Sequence, residues 1–442
     1  MIFVTQKRIK NIESRIKRLE SGKDKLSTLS SRFLILNNRD ISILIGNMLD
    51  HFDAGLYGFL APILAPLFFP DHDYVVQLIL AYSILATTLI TRPIGAIVFS
   101  IIARRQGPLA ALSLSLMGAA ISTALMGGIP TYETIGWTAA FLLLLFRGLS
   151  GIFAAGEATV AQLYILNRKS FQAGLKANQY YHTSSMAGMI LSSLAATLAM
   201  IWGGEFAWRL CFFTGSFAGF IGVILRHFAR KDPWKTVKAP LGYYSRSAWI
   251  SIFTQWKPLL RISVISGFSY MTYAVPCIFM NSYVPMISAH SLETMMELNT
   301  AFLVIDFLLI PTLGHLLRNL NPTYVMITAS LTLTFTCPLF FAGLENASLL
   351  YVSFVRLWII FWGVVFLCPI SLWYKDQLNA RSNPYLILGI AQALGTSTLG
   401  RLTPSIGFWL YEEIPLVFSP ALWIVICSLM VAFVLKKNPI RT

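Results

Sequence analysis

Residues 348–373 read SLLYVSFVRLWIIFWGVVFLCPISLW, a run of 26 residues whose one charged side chain is Arg356. A helix of this length rises about 39 Å, and the hydrocarbon core of a bilayer is about 30 Å thick. Similar stretches recur along nearly the whole chain of 442 residues, of which 56% are apolar and 12% charged. Because soluble domains are about 25% charged, the sequence predicts a polytopic membrane protein and excludes a disordered chain, a disulfide scaffold and a secreted enzyme.

Apolar windows long enough to cross a bilayer number twelve, and we call them spans 1 to 12: 41–69, 75–102, 109–129, 137–166, 180–201, 208–228, 260–287, 300–317, 324–342, 348–373, 384–410 and 415–435. The predicted fold class is an all-α membrane protein with two six-helix bundles, which is typical of transporters. The predicted parts are a basic N-terminal segment (1–40), a first bundle (41–228), a linker (229–259), a second bundle (260–435) and a tail (436–442).

The positive charge of the chain is unevenly distributed. The formal net charge is +15, with ten Lys and Arg residues before Asp40 and eight between Arg226 and Arg261. The alternate short loops, which contain Asp71, Glu133 and Glu345, carry none. This is the positive-inside pattern, so it predicts cytoplasmic N- and C-termini and membrane lipid, rather than nucleic acid, as the partner of the basic residues.

Other classes of site find no support in the sequence. The five cysteines lie in apolar stretches without metal-ligand spacing, so no metal site is expected. No glycine-rich loop is followed by Lys-Ser or Lys-Thr, which argues against coupling to ATP. We expect no catalytic residues and no cofactor.

Several ionisable residues lie at membrane depth, where each costs a few kcal/mol. Asp50, Asp53, Arg92 and Glu157 share a layer about 14–18 Å from the cytoplasmic ends of their spans. Asn47, Asp50 and Asp53 are spaced three apart and form one polar stripe. A carboxylate beside an arginine suits a proton-coupled carrier, because the acid can gain a proton while the cation binds it or an anionic solute. Alternatively, Asp53 and Arg92 form a fixed ion pair that only holds two helices together.

A second charged layer is expected nearer the outer side. Asp306, Arg356 and Arg401 lie roughly 7, 8 and 9 residues from the outer ends of spans 8, 10 and 11. One acid against two arginines leaves a positive excess, which would suit a carboxylate substrate. Alternatively, one arginine snorkels or bonds backbone carbonyls.

Motifs in the first half resemble a known family. Residues 46–58 read GNMLDHFDAGLYG, and span 2 contains Arg92-Pro93-Ile94-Gly95 with Phe99. Span 4 contributes a further set, Arg147, Gly151, Ala154, Gly156 and Glu157. These segments are similar to the metabolite:proton symporter family of the major facilitator superfamily, strongly over 41–231 and more weakly to the C-terminus. The resemblance implies proton-coupled import of a small solute, as in proline/betaine, oxoglutarate, citrate and shikimate transporters, and adds Arg147 to the candidate site.

The loop between spans 2 and 3 departs from the superfamily pattern G-x-x-x-D-R-x-G-R-[RK]. Residues 100–109 read SIIARRQGPL, so Arg105 and Gly107 match the pattern while Arg104 replaces its acid. Arg318 stands at the matching acidic position between spans 8 and 9. In the family this acid helps to latch the helices at the cytoplasmic face, so the resemblance predicts an altered gate.

Together these observations predict a monomeric, proton-coupled secondary transporter in a bacterial inner membrane. It would import a proline/betaine-like zwitterion or a small carboxylate together with protons. Two alternatives remain: an exporter of drug or siderophore type, and a degenerate carrier that acts as a membrane sensor or scaffold. The altered loops and the basic N-terminal segment are the observations behind the second alternative.

Overall fold

The computed structural model describes residues 38–167, 171–203, 206–229, 254–317, 320–378 and 384–437. All the regular structure in these residues is helical. The helices of the first half are Asn38–Phe68 (span 1), Tyr74–Ser83, the 3-10 turn Ile84–Thr87 and Thr88–Gln106 (span 2), Pro108–Gly127 (span 3), the short Tyr132–Ile135, Trp137–Asn167 (span 4), Phe171–Trp202 (span 5) and Ala207–Ala229 (span 6).

The helices of the second half are given in chain order as well. They are Trp256–Ala274, the π-helix Val275–Phe279 and Met280–Ile287 (span 7), Leu292–Leu316 (span 8), Pro322–Ala342 (span 9), Leu349–Leu367 with Ile370–Leu378 (span 10), Pro384–Gly395, the π-helix Thr396–Arg401 and Thr403–Glu413 (span 11), and Ala421–Lys437 (span 12). Each predicted span therefore corresponds to a helix or to consecutive helices.

Nine stretches of the described residues are long and apolar enough to cross a membrane. Spans 1, 11 and 12 are not among them. Span 1 carries Asp50 and Asp53, which lower its mean hydropathy, and the helix of span 12 has 17 residues. The prediction of an all-helical polytopic membrane protein is confirmed, while the count of twelve crossings stays a prediction.

The second half of the chain repeats the helix contacts of the first. Span 1 packs against span 5, span 2 against span 4, and span 3 against span 6. The corresponding contacts of the second half are span 7 with 11, 8 with 10, and 9 with 12. The two halves meet along spans 5 and 8 and along spans 2 and 11, which are equivalent seams under the same repeat. Internal repeats of this kind are typical of secondary transporters.

Glycines allow the closest helix approaches in both halves. A Cβ added at Gly188 in span 5 would overlap the carbonyl oxygen of Met48 in span 1. A Cβ added at Gly395 in span 11 would overlap the carbonyl oxygen of Ser263 in span 7. Small residues at such contacts let membrane helices pack backbone to backbone, so the repeat extends to single positions.

We expect Gly188→Val and Gly395→Val to lower the yield of folded protein severely, since each side chain would meet backbone that cannot move aside. Overpacking of this kind costs about 1–3 kcal/mol or more. Gly148→Ala is the matched control, because its Cβ would meet only the Thr91 methyl group at 3.5 Å. Fluorescence-detected size-exclusion chromatography measures the yield. Equal monodisperse yields for all three variants would show that these glycines do not determine the packing.

Polar contacts join the two halves in the outer halves of the spans. The hydroxyl groups of Tyr82 and Ser282 lie 3.0 Å apart, and those of Ser193 and Thr300 also 3.0 Å apart. Thr197 Oγ1 donates to the carbonyl oxygen of Met296 at 3.0 Å. These contacts join the two halves on the side that is predicted to face outward.

Candidate charged site at the interface of the two halves

Asp53 is held in a hydrogen-bonded ion pair within the first half. Arg147 Nη1 in span 4 lies 3.3 Å from Asp53 Oδ2. Ser150 Oγ donates to the same oxygen at 2.8 Å, and Thr123 Oγ1 in span 3 donates to Oδ1. The Arg147 guanidinium also lies over the ring of Tyr57, 5.2 Å from its centroid. Side chains from spans 3 and 4 therefore hold the buried carboxylate of span 1. Charge-assisted hydrogen bonds of this kind are stronger than bonds between neutral groups.

The predicted pairing of Asp53 with Arg92 is wrong. Arg147 is the partner of Asp53. Arg147 lies ten residues from the outer end of span 4, whereas Arg92 lies ten residues from the cytoplasmic end of span 2. Counting residues along each span did not single out Arg147, because contacts between helices also depend on how the helices pack. Asp53 does pair with an arginine, as expected, but the arginine is Arg147.

Asp50 faces a different set of charges. Its carboxylate is buried, and His51 Nδ1, which carries a charge only when the ring is protonated, lies 3.9 Å from Oδ2. Among charged groups, Arg92 has the largest electrostatic effect on the Asp50 carboxyl group, followed by Asp53, Arg401 and Arg147. Asp50 makes no hydrogen bond to any residue that the structure describes.

Arg92 and Arg401 come from opposite halves of the chain, and their like charges repel each other. Arg401 is the strongest charged neighbour of Arg92, ahead of Asp50 and Tyr270. Arg92 Nε is buried without a hydrogen-bond partner, and the buried Arg401 guanidinium lies 5.7 Å from the centroid of the Tyr270 ring. Within the described ranges, neither arginine forms a hydrogen bond or an ion pair. We call Asp50, Arg92, Arg401 and Tyr270 the central charged site.

The predicted outer layer does not form. Arg401 belongs to the central charged site, and Arg356 donates to Asn281 Oδ1 at 2.7 Å and Asn299 Oδ1 at 2.8 Å. Arg356 is fully buried and lies over the Phe302 ring, 4.7 Å from its centroid. Asp306 is buried in span 8 without an ion pair to any described residue; the groups on which its charge acts are Tyr273, Cys277 and Cys368.

Glu157 is buried in span 4, and its charge acts on Tyr181 in span 5. Asp50 and Arg92 act on the same tyrosine, so Tyr181 lies near all three charges. Of the four charges expected in one layer, Asp53 is the one that the structure places in a separate ion pair, with Arg147.

The gating loops are described only in part. Gly107 has a φ of +94°, a conformation that favours glycine, and it joins span 2 to span 3. Arg105 is exposed, the backbone of Arg104 belongs to the helix that ends at Gln106, and Arg318 lies outside the described residues.

Sequence reasoning missed Thr123, Ser150 and Tyr270. Hydroxyl residues are frequent in membrane helices and usually bond their own backbone, so nothing in the sequence singles out the two that reach Asp53. Tyr270 is one of 17 tyrosines. Its position in span 7 could have indicated it, because span 7 is the counterpart in the second half of span 1, which carries Asp50 and Asp53.

Comparisons of sequence and fold show which known proteins the chain resembles. No model of a known protein family matches the chain. The chain is 27% identical over 409 residues to the glycine betaine/proline/ectoine/pipecolic acid transporter OusA of Dickeya dadantii, covering 87% of this chain and 80% of OusA. It is 31% identical over 194 residues to the proline/betaine transporter of Escherichia coli K12, covering 43% of this chain and 39% of that protein.

A solved structure shows the same fold. The xylose transporter XylE of Escherichia coli, in a partially occluded inward-open conformation, superposes with a TM-score of 0.70 over 92% of this chain and 98% of XylE, at 14% identity. The chain is therefore similar over most of its length to transporters of the proline/betaine type, as the resemblance of residues 46–58 predicted. The major facilitator fold is confirmed. The relatives named above are transporters, in agreement with the expectation that the chain is not an enzyme.

Proposed function

We propose that this major facilitator protein is a proton-coupled secondary transporter that imports a small organic solute, either a proline/betaine-like zwitterion or a small carboxylate. The observation that carries the proposal is the buried Asp53, bonded to Arg147, Ser150 and Thr123 next to an unbonded central charged site. Asp53 is a buried carboxylate that can take up a proton when its bonds to Arg147, Ser150 and Thr123 are released. The neighbouring charges of the central charged site, which form no hydrogen bonds to described residues, offer a binding place for the solute.

The geometry supports a physical link between the two places. Asp53 and Arg147 together are nearly neutral while Asp53 is ionised. Once Asp53 takes a proton, the charge of Arg147 is no longer offset, and both groups act on Asp50 in the central charged site. The potential there becomes more positive, which strengthens the binding of an anionic group. Proton binding and solute binding would then favour each other, as symport requires.

The organisation of the chain in its membrane is part of the proposal. The bundles would extend over 41–228 and 260–435, with 1–40, 229–259 and 436–442 in the cytoplasm of a bacterial cell and the spans in its inner membrane. The distribution of Lys and Arg supports this orientation. A monomer in contact with lipid is consistent with the many large apolar side chains that the described spans expose.

We further propose that Arg104, Arg105, Gly107 and Arg318 form the cytoplasmic gate. The turn at Gly107 supports this role for the loop between spans 2 and 3. An arginine in place of the superfamily acid would remove an attraction at that face. The closed outer seams accord with a carrier that rests open to the cytoplasm.

Counterflow in proteoliposomes tests the proposal. Purified full-length protein is reconstituted with a saturating unlabelled mixture of proline, glycine betaine, succinate and 2-oxoglutarate inside, and each labelled compound is added outside in turn. A carrier is expected to concentrate at least one label transiently inside. Absence of counterflow for all four, from protein that is monodisperse and thermally stable, would contradict carriage of these solute classes and favour the scaffold alternative.

A further inference from the structure

The central charged site has an uneven charge balance. Arg92 and Arg401 supply two positive charges and Asp50 one negative charge, while the nearby Asp53 is already offset by Arg147. The site as a whole therefore carries one excess positive charge. Arg401 is buried and Arg92 is half-buried with a buried Nε. Unpaired charge at membrane depth is costly, so an anionic occupant would stabilise the site.

The two arginines stand in opposite halves of the chain, near a seam at which the two halves meet. Arg92 stands in span 2 and Arg401 in span 11, whose helices meet at the seam where Thr88 Oγ1 lies 3.2 Å from Ser397 Oγ. Arg92 has a buried Nε without a partner. The Tyr270 ring supports the Arg401 guanidinium and leaves its N–H groups without acceptors among the described residues. Guanidinium groups match the two oxygens of a carboxylate.

We propose that Arg92 and Arg401 bind the solute carboxylate between them, one arginine from each bundle, and that the solute carries a net negative charge. This inference rests on the proposed function and deepens it by choosing between its two solute classes. A bound zwitterion leaves the excess charge of the site unchanged, whereas a monoanion cancels it. Asp50 is the group that competes with the solute for both arginines, so it lowers the affinity for anions and does not recruit an ammonium group.

Matched pairs of solutes separate charge from shape. In 3,3-dimethylbutanoate a carbon replaces the quaternary nitrogen of glycine betaine, and in cyclopentanecarboxylate a CH₂ replaces the NH₂⁺ of proline. Thermal stabilisation of the purified full chain in detergent gives the half-saturating concentration of each. We expect at least one anion to saturate about tenfold or more below its zwitterionic partner, as one uncompensated charge at close range predicts. Inorganic phosphate and sulfate, added at the same concentrations, show whether anions other than carboxylates bind as well.

Variants of Asp50 and Arg401 test this clamp of two arginines on the solute carboxylate, and the clamp and a zwitterion site predict opposite effects of the Asp50 variant on binding. Asp50→Asn is expected to bind the preferred anion several-fold more tightly, because a competitor for the arginines is removed. If Asp50 instead holds the ammonium of a zwitterion, the same change weakens binding. Arg401→Gln is expected to abolish the preference for anions, and Arg401→Lys to retain part of it. Lys436→Gln, which alters an exposed cation at the end of span 12, is the matched control.

The outcomes are distinct from failure of the proposed function. Equal or tighter binding of both zwitterions, or weaker anion binding in Asp50→Asn, overturns the clamp while counterflow of proline or glycine betaine keeps the carrier. Phosphate or sulfate binding more tightly than every carboxylate also overturns it. Absence of binding by all solutes overturns the clamp, and the counterflow assay then decides the fate of the carrier. Should Arg401→Gln fail to fold, Arg401→Lys and Asp50→Asn still decide the question.

Discussion

Asp53→Asn is expected to abolish accumulation of solute against its gradient while exchange of solute down its gradient continues. An asparagine amide resembles a protonated carboxyl group, so the variant is fixed in the state that holds a proton. Its amide oxygen can accept the bond from one of the hydroxyl groups of Ser150 and Thr123, and its NH₂ group can donate to the other, which limits the damage to the fold. Uptake driven by an imposed pH gradient should fall to simple equilibration, with an internal to external ratio near one. Labelled uptake in proteoliposomes measures this ratio, and counterflow measures exchange.

Asp306→Asn is the matched comparison, because Asp306 is a buried acid of the second half without an ion pair to a described residue. It is expected to retain accumulation. If Asp306→Asn abolishes accumulation and Asp53→Asn does not, the coupling acid is Asp306. If both Asp53→Asn and Arg147→Gln lower only the folded yield, and the surviving protein still accumulates solute, the Asp53–Arg147 pair is structural.

Arg356→Met is expected to destabilise the second half strongly. The change preserves an apolar stem of similar length but removes the donors for Asn281 Oδ1 and Asn299 Oδ1, which lie at 2.7 and 2.8 Å. Hydrogen bonds to charged groups contribute about 1.5–3 kcal/mol each, and the two amide oxygens would stay buried without partners. We expect a loss on the order of 3 kcal/mol, measured as a fall of several degrees in the melting temperature in detergent.

A double variant tests the cause of this loss. Arg356→Met combined with Asn281→Leu leaves one unsatisfied amide oxygen instead of two, so it should be more stable than the sum of the single changes predicts. The seam to the first half should loosen as well, since Asn299 also donates to Ser193 Oγ at 3.0 Å. Additive losses would show that the hydrogen bonds of Arg356 do not act as a unit.

The sequence was sufficient to predict the helices and the similarity to proline/betaine transporters but not the partners of the buried charges. Long apolar runs gave the spans because a bilayer requires each backbone to bond within its own helix. The polar stripe of Asn47, Asp50 and Asp53 indicated the helix face that matters. Arg92 was expected beside the stripe, and Arg147 entered the candidate site only through the family resemblance. The contact of Arg147 with Asp53 depends on how spans 1 and 4 pack, which spacing along the chain does not determine.

Arg401 shows a second limit of reasoning from spacing. It was grouped with Asp306 and Arg356 by counting from the outer ends of regular helices. In the structure it ends the π-helix Thr396–Arg401, and the opposing span 7 contains the π-helix Val275–Phe279. A π-turn changes the rotation of the residues around it and is frequent at functional sites. Regular helical periodicity therefore does not predict that Arg401 faces Arg92 and Asp50.

Solute-driven proton movement tests the coupling of a carrier through Asp53 most directly. Proteoliposomes contain a pH-sensitive dye and start without a pH gradient, with valinomycin and potassium to collapse the membrane potential. Proline, glycine betaine, succinate or 2-oxoglutarate is then added outside, with protein-free liposomes as the reference. We predict that the transported solute acidifies the interior with the wild-type protein and not with Asp53→Asn. Entry of labelled solute through the wild type without acidification, or equal acidification by Asp53→Asn, would contradict proton coupling at Asp53.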